Sequence, residues 1–221
     1  MYVQITTKCN MKCAHCCFAA TRSGTHMELN VFQKALSIAI DRGDSFVIGG
    51  GEPTMHPRFF EYLKIVREES LRGSFEILPF MVTNGKAYGK ASRLLDILED
   101  DYELGNEVIS VNLSQDDWHE PIDRRIIERY ARLKRLTKDT IDFRSVKRIA
   151  PSGRGRHKQL DEMRMIGSQC ACETPLVDPE GMVWSCGCKT HLLGSIWDEN
   201  VFHDYNEEFA HEGGKEPFPD P

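Results

Sequence analysis

Lys8-Cys9-Asn10-Met11-Lys12-Cys13-Ala14-His15-Cys16-Cys17 sets three thiols at an interval of three residues and then of two, directly after the apolar positions Tyr2, Val3 and Ile5. Tyr, Val and Ile favour extended backbone, so residues 1–6 are expected to form a first strand that ends where the cysteines begin. Soft thiolates on one short loop can converge on metal. Three of them can hold three irons of a 4Fe-4S cluster and leave the fourth iron to a ligand that is not protein, whereas a cluster held wholly by protein needs four cysteines. A zinc site, a disulfide pair or a few buried thiols are the other uses of such a group. Cys17 stands outside the triple and reads as a buried thiol.

A second stretch agrees with the first. Gly49-Gly50-Gly51-Glu52-Pro53-Thr54 follows the apolar Phe46-Val47-Ile48. Glycines lack a Cβ and let backbone approach a ligand, while exposed carbonyls and the Glu52 carboxylate can accept hydrogen bonds from an ammonium group. The C-x3-C-x2-C spacing after one strand and Gly-Gly-Glu after the next together resemble the signatures of the radical S-adenosylmethionine (radical SAM) enzymes. The resemblance implies that Cys9, Cys13 and Cys16 hold a 4Fe-4S cluster. It implies that Gly50, Gly51 and Glu52 receive the methionine end of S-adenosylmethionine, which chelates the open iron through its amino and carboxylate groups. One electron, from a flavodoxin- or ferredoxin-type reductant, would then cleave it to methionine and a 5′-deoxyadenosyl radical that takes hydrogen from substrate. His15 stands where the family often has an aromatic, and is implied to lie near the adenine or else to be a packing residue. Ser114, Gln115 and Asp116 resemble the family's polar tip on the fourth strand, which meets the cofactor ribose or substrate, or form an ordinary polar turn. His119 fits the pattern of relatives that modify peptides.

Composition bounds the rest. With 221 residues and 40 % hydrophobic content the chain can build one sizeable core. The N-terminus carries no export signal and no apolar run is long enough to span a bilayer, so a cytoplasmic protein with reduced thiols and no membrane partner is expected. The net charge of -6 is uneven: residues 124–158 hold thirteen Lys or Arg against three acids. A segment of that kind can steer an anionic partner or form a solvated helix face. Few aromatics are interleaved with it, so a nucleic-acid partner is the less favoured reading.

Strand and helix patterns alternate along the chain. Strands are expected near 1–6, 45–48, 75–82, 108–113 and 141–149, and helices near 26–42, 57–72, 87–100 and 121–137, with Thr25 or Asn30 capping the first and Gly43 ending it. Alternation of this kind predicts a parallel sheet with right-handed crossovers. Ligands collect at the C-terminal ends of such strands, where the cysteine triple, the glycine run, Thr83-Asn84, residues 112–116 and residues 151–154 all fall. The fold class expected is α/β, a partial (β/α)6 TIM-like barrel, with a cysteine-bearing β-hairpin at its C-terminal end.

Cys170-Ala171-Cys172 and Cys186-Gly187-Cys188 flank two apolar arms around Asp178-Pro179-Glu180-Gly181, which reads as that hairpin. With a two-residue loop at Pro179-Glu180, Cys172 and Cys186, and likewise Cys170 and Cys188, fall within one residue of facing each other. Four converged thiolates bind a second 4Fe-4S cluster or zinc. The hairpin, with 193–197 and a short helix near 198–208, resembles the SPASM or twitch extension of radical SAM enzymes. The expected organisation is a radical SAM core over 1–165, an auxiliary-cluster extension over 166–209 and a disordered tail over 210–221. The resemblance implies a peptide or small natural-product precursor as substrate. With nothing expected before the first strand to recognise a leader peptide, the peptide case weakens. A nucleotide or nucleic acid, or a metal-stapled binding protein without catalysis, are the alternatives.

Overall fold

Val3, with no exposure, and Ile48, equally buried, face each other across the first two strands, and the sheet grows outward from this pair. The computed structural model describes residues 1–137, 140–145, 153–154, 174–189 and 191–202. Their strands are β1 (Tyr2–Gln4), β2 (Val47–Gly49), β3 (Phe80–Thr83), β4 (Ser110–Ser114), β5 (Ile141–Arg144), β6 (Leu176–Val177), β7 (Met182–Trp184) and β8 (Leu192–Ser195). Helices α1 (Leu29–Asp41), α2 (Phe59–Leu71), α3 (Tyr88–Glu103) and α4 (Arg124–Leu136) each connect one of the first four strands to the next.

All eight strands join one sheet in the order β5-β4-β3-β2-β1-β6-β7-β8. Neighbours from β5 through β1 to β6 are parallel, and only β7 and β8 run antiparallel. The α/β class and the partial barrel therefore stand, with six parallel strands. The sixth joins at β1 and comes from the first arm of the hairpin. Tyr2 fixes that junction by donating its amide to the Pro175 carbonyl at 2.8 Å.

Each helix buries one apolar stripe, as its three-to-four-residue spacing requires. Phe32 of α1 stacks on Tyr62 of α2 with ring centroids 4.3 Å apart. Leu94, Leu95 and Leu98 of α3, and Ile126, Tyr130 and Leu133 of α4, continue the same core. Gly43 ends α1 in the left-handed region, at φ +66°. Neither Thr25 nor Asn30 caps that helix; Glu28 precedes its first residue and makes no side-chain capping bond. β3 is shorter than its apolar run predicts. Pro79 brings no N–H to a ladder, and Ile77 before it is 60 % exposed.

The hairpin register needs a correction. Leu176 faces Trp184 and Val177 faces Val183, so the loop has three residues, 179–181, instead of two. Asp178 sets this geometry: its amide donates to the Met182 carbonyl, and its Oδ1 accepts the amides of Glu180 and Met182. Gly181, at φ +81°, takes the left-handed position that closes a three-residue hairpin loop. Cys170 and Cys172 lie outside the described residues, as do most of the expected helix over 198–208 and the tail.

The basic segment is largely occupied where it is described. Arg129 of α4 reaches Asp96 and Glu99 of α3, each at 2.7 Å, and Arg132 adds a second bond to Glu99 at 2.7 Å. Arg124, Arg125 and Lys134 pair with Glu128, Asp123 and Asp142. Arg129, Arg132 and Lys134 fasten α4 to α3 and β5, while Arg124 and Arg125 pair within or beside the helix's own first turns. Among the described residues, no helix is long and apolar enough to cross a membrane.

Candidate metal and cofactor site

The cysteine loop leaves β1 and returns beside it. Cys9 donates its amide to the Thr21 carbonyl at 2.7 Å, and Thr7 donates to Thr25 at 3.1 Å, so residues 9–21 form a loop with a closed neck. Cys9, Met11 and Ala20 are buried together, and Cys13 and Cys16 pack against them. None of Cys9, Cys13, Cys16 and Cys17 is in a disulfide.

Three other parts of the chain grip this loop. Asn84, past the tip of β3, donates its side-chain amide to Asn10 Oδ1 at 2.9 Å and to the Cys9 sulfur at 3.7 Å. Glu120, before α4, accepts the Lys12 amide at 2.8 Å and is itself held by the Lys86 ammonium. Arg154 contacts the loop carbonyls from beyond β5.

The glycine run lies against the same loop's base. Gly51 donates its amide to Thr6 at 2.7 Å and Glu52 donates to Lys8 at 2.9 Å. A Cβ on Gly50 would stand 2.6 Å from the Thr6 carbonyl oxygen, and one on Gly51 2.5 Å from that of Lys8. The close approach that demands glycine is thus made by the chain to its own backbone. Tyr2 shares in it: its hydroxyl accepts the Gly50 amide at 3.0 Å.

Glu52 is 1 % exposed, and its carboxylate accepts four hydrogen bonds. Oε1 takes the Thr54 amide at 3.2 Å, the Thr54 hydroxyl at 2.7 Å and the Thr83 hydroxyl at 2.7 Å; Oε2 takes the Asn84 amide at 2.7 Å. Burial pushes its pKa up, against the pull of these donors. The acid expected to face a cofactor is, in the chain alone, a strut between the tips of β2 and β3.

Electrostatics in the loop follow from its burial. Burial pushes the Cys9 thiol up, and the neighbouring carboxylate and thiol add to it while Arg154 opposes. Cys13 is pushed up to about 11 by burial and by Cys9 and Cys16, again with Arg154 opposing. Burial likewise carries Cys17 to about 12. A positive centre among these sulfurs would relieve the penalty on their charged forms.

The expected secondary residues separate. His15 packs on His119 with centroids 4.8 Å apart and on Trp118 at 6.2 Å. Among the described residues its Nδ1 is buried without a hydrogen-bond partner, and burial lowers its pKa. His119 Nδ1 lies 2.7 Å from Asp116 Oδ1, which also accepts the Trp118 amide at 2.9 Å. Ser114 ends β4 half-buried, and Gln115 beyond it is exposed. Cys186 is buried and Cys188 half-buried after β7.

The donors on the cysteine loop suit an iron-sulfur cluster. Three soft thiols share one apolar-lined loop whose backbone is held from three sides. Among the described residues no three His, Cys, Asp or Glu side chains come close enough for a single metal ion. Arg154 and Asn84 are the residues whose roles escaped sequence reading. Their positions at strand tips were legible, whereas which loop each would touch depends on contacts about 140 and 75 residues away in sequence.

A thiol loop at the C-terminal mouth of a partial (β/α) barrel defines a class of metal-dependent α/β-barrel proteins. Known proteins narrow it. Residues 3–149 match the model of the Radical SAM superfamily, and the chain belongs to that superfamily of S-adenosylmethionine-using enzymes. Its fold is similar to that of BtrN in complex with AdoMet and 2-DOIA, at a TM-score of 0.63 and 15% identity over 96% of this chain and 85% of that one. It is also similar to Streptococcus suis SuiB bound to precursor peptide SuiA, at a TM-score of 0.65 and 12% identity, over 96% of this chain and 65% of SuiB. No curated protein matches the chain. Membership implies a 4Fe-4S cluster, S-adenosylmethionine and a reductant.

Proposed function

We propose that this chain reductively cleaves S-adenosylmethionine and abstracts hydrogen from a peptide or small natural-product precursor, with Cys9, Cys13 and Cys16 as the ligands of its catalytic cluster. The observation that supports this most is the junction of the two motifs: the cysteine loop and the glycine run bond directly, Glu52 to Lys8 and Gly51 to Thr6. A cofactor chelated to an iron on the loop would have its methionine end beside residues 50–52.

Cys9, Cys13 and Cys16 would hold the cluster, which would supply the one electron that cleaves S-adenosylmethionine to methionine and a 5′-deoxyadenosyl radical. The chain's share is placement. Gly50 and Gly51 bring backbone to the methionine end, Glu52 holds that backbone to β3, His15 borders the adenine side, and Ser114 and Gln115 border the ribose or substrate side. Cys186 and Cys188, with Cys170 and Cys172, are proposed to hold a second 4Fe-4S cluster or zinc in a SPASM- or twitch-like extension. A flavodoxin- or ferredoxin-type protein is the proposed reductant. The substrate class draws support from SuiB, which was solved with a precursor peptide, and from BtrN, solved with 2-DOIA. A nucleic-acid substrate loses support because the cations of α4 are paired within the chain.

Anaerobic reconstitution, reduction and assay for 5′-deoxyadenosine test the reading. Cleavage that disappears in the Cys9, Cys13, Cys16 triple alanine variant supports it; an intact reduced cluster that never cleaves the cofactor refutes it. Iron, sulfide and zinc analysis of the same variant reports on the C-terminal cysteines, and zinc alone would end the second-cluster assignment.

A further inference from the structure

Arg154 stands in the basic segment by sequence, yet among the described residues its hydrogen bonds run to backbone carbonyls. Its Nε donates to the Cys13 carbonyl at 2.8 Å and its Nη1 to the Ala20 carbonyl at 2.5 Å. Its own amide donates to the Cys16 carbonyl at 2.9 Å. Three donors of one residue therefore collect three carbonyls spread over residues 13–20, the half of the loop that carries two of the three thiols. Gly153 makes the approach possible. It sits at φ +53°, and a Cβ there would stand 2.3 Å from the Cys17 carbonyl oxygen and 2.6 Å from that of Cys16.

The chemistry of the contact is specific. A guanidinium is a rigid planar fork with no acceptor, so it can bridge two carbonyls that point toward one another and cannot donate to either in another geometry without losing the second. Loops without regular structure have few internal bonds of their own, and residues 9–21 include turns at Cys16 and Ala19 closed by long contacts of 3.4 and 3.3 Å. Without the guanidinium the carbonyls of Cys13 and Ala20 lose this partner together, and only the Arg154 amide still reaches the loop, at Cys16. The guanidinium is also a fixed cation beside thiols that become anions when they bind iron.

We infer that Arg154 is a positioning residue for the cluster: a latch from beyond β5 that fixes the Cys13–Cys16 half of the loop before metal arrives and places a positive charge beside it afterwards. This rests on the proposed assignment of Cys9, Cys13 and Cys16. Sequence analysis assigned the charge at 154 to steering of an anionic partner or to a solvated face; the geometry assigns it to the chain's own loop.

Hydrogen exchange on the full-length protein without metal tests the latch independently of any cluster. In Arg154→Gln, amides of residues 13–20 should exchange at least about tenfold faster than in the wild type, while α2 and α3 keep their protection. Arg154→Lys keeps the charge and the apolar stem but not the fork, so it should loosen the same amides; it also serves if the Gln variant fails to fold. After anaerobic reconstitution, iron should leave both variants several-fold faster in the presence of a chelator. The midpoint potential should fall in Arg154→Gln and stay nearer the wild type in Arg154→Lys, a split that loosening alone would not produce. Wild-type exchange at residues 13–20 in either variant overturns the latch, and equal potentials in all three proteins overturn the electrostatic part. A wild-type protein that takes up no cluster would instead refute the ligand assignment, leaving the exchange result to decide the latch.

Discussion

The Glu52 carboxylate and the Asn84 amide meet at 2.7 Å, and through them the glycine run after β2 is tied to the residue that donates to the Cys9 sulfur. The two halves of the site are thus one hydrogen-bonded unit, running from Lys8 through Glu52 to Asn84 and back to the cysteine loop. Because every member is buried or nearly so, removing one leaves its partners without water as a substitute.

Glu52→Gln tests this unit. The amide keeps one acceptor but presents an NH2 group to a second donor, so at least one of Thr83, Thr54 and Asn84 is left unpaired in the interior. A loss of roughly 1–3 kcal/mol in urea unfolding is expected, as a lower midpoint at unchanged slope. An unchanged midpoint would show that the strut carries no stability.

Gly51→Ala tests the close approach between the motifs. The added methyl would stand 2.5 Å from the Lys8 carbonyl oxygen, a backbone atom that cannot swing aside. The two backbone segments beyond β1 and β2 must part there, weakening the Gly51 to Thr6 bond. We expect a loss of about 1–3 kcal/mol by the same unfolding assay and lower affinity for S-adenosylmethionine in the reconstituted protein. Gly89→Ala, in α3 where an added Cβ meets nothing within 4 Å, is the control: it should lower neither, and the better helix former leaves stability equal or slightly higher.

Sequence reading reached the mouth of the barrel and stopped short of its wiring. The alternation of helical and extended patterns, and the apolar run before Cys9, were sufficient to place helices and strand ends because those signals are local. The register of the hairpin was off by one, since Gly181 can close a three-residue loop as readily as end a two-residue one and Asp178 decides between them by side-chain bonds. Arg129 and Glu99 show the same limit for charge: a count of cations cannot tell a solvated face from one paired across α3 and α4.

Acid should weaken the fold through His56. The ring is 1 % exposed, its Nε2 lies 3.0 Å from the Met27 carbonyl, and its Nδ1 accepts the Arg58 amide at 3.0 Å. That pair of bonds requires the neutral ring with its proton on Nε2. Burial lowers its pKa to about 4, with His26 and Arg58 adding and the Met27 bond opposing. The unfolded chain takes up this proton near pH 6.5 and the folded chain only near pH 4, so stability present above pH 6.5 declines between the two. One such group contributes a slope approaching ~1.4 kcal/mol per pH unit within that window. His56→Gln should flatten the profile by that amount; a slope unchanged from the wild type would place the titration elsewhere.

Arg129→Ala removes the bridge from α4 to Asp96, Glu99 and the Ser92 hydroxyl. As a partly buried network rather than a lone surface pair, it should cost about 1 kcal/mol, or about 2–4 °C in Tm for a chain of this size. Differential scanning calorimetry at low and high salt checks it, and the difference between the two proteins should shrink with salt.

The account depends most on an iron at the cysteine loop that no side chain ligates. Electron paramagnetic resonance of the reduced, reconstituted protein with S-adenosylmethionine labelled with nitrogen-15 at its amino group addresses that iron directly. The prediction is a cluster signal that changes on addition of the cofactor and carries coupling to the labelled nitrogen, and that is absent in the Cys9, Cys13, Cys16 triple alanine variant. Reduced protein in which no cluster signal responds to the cofactor, or a nitrogen coupling that survives in the triple variant, would contradict the account.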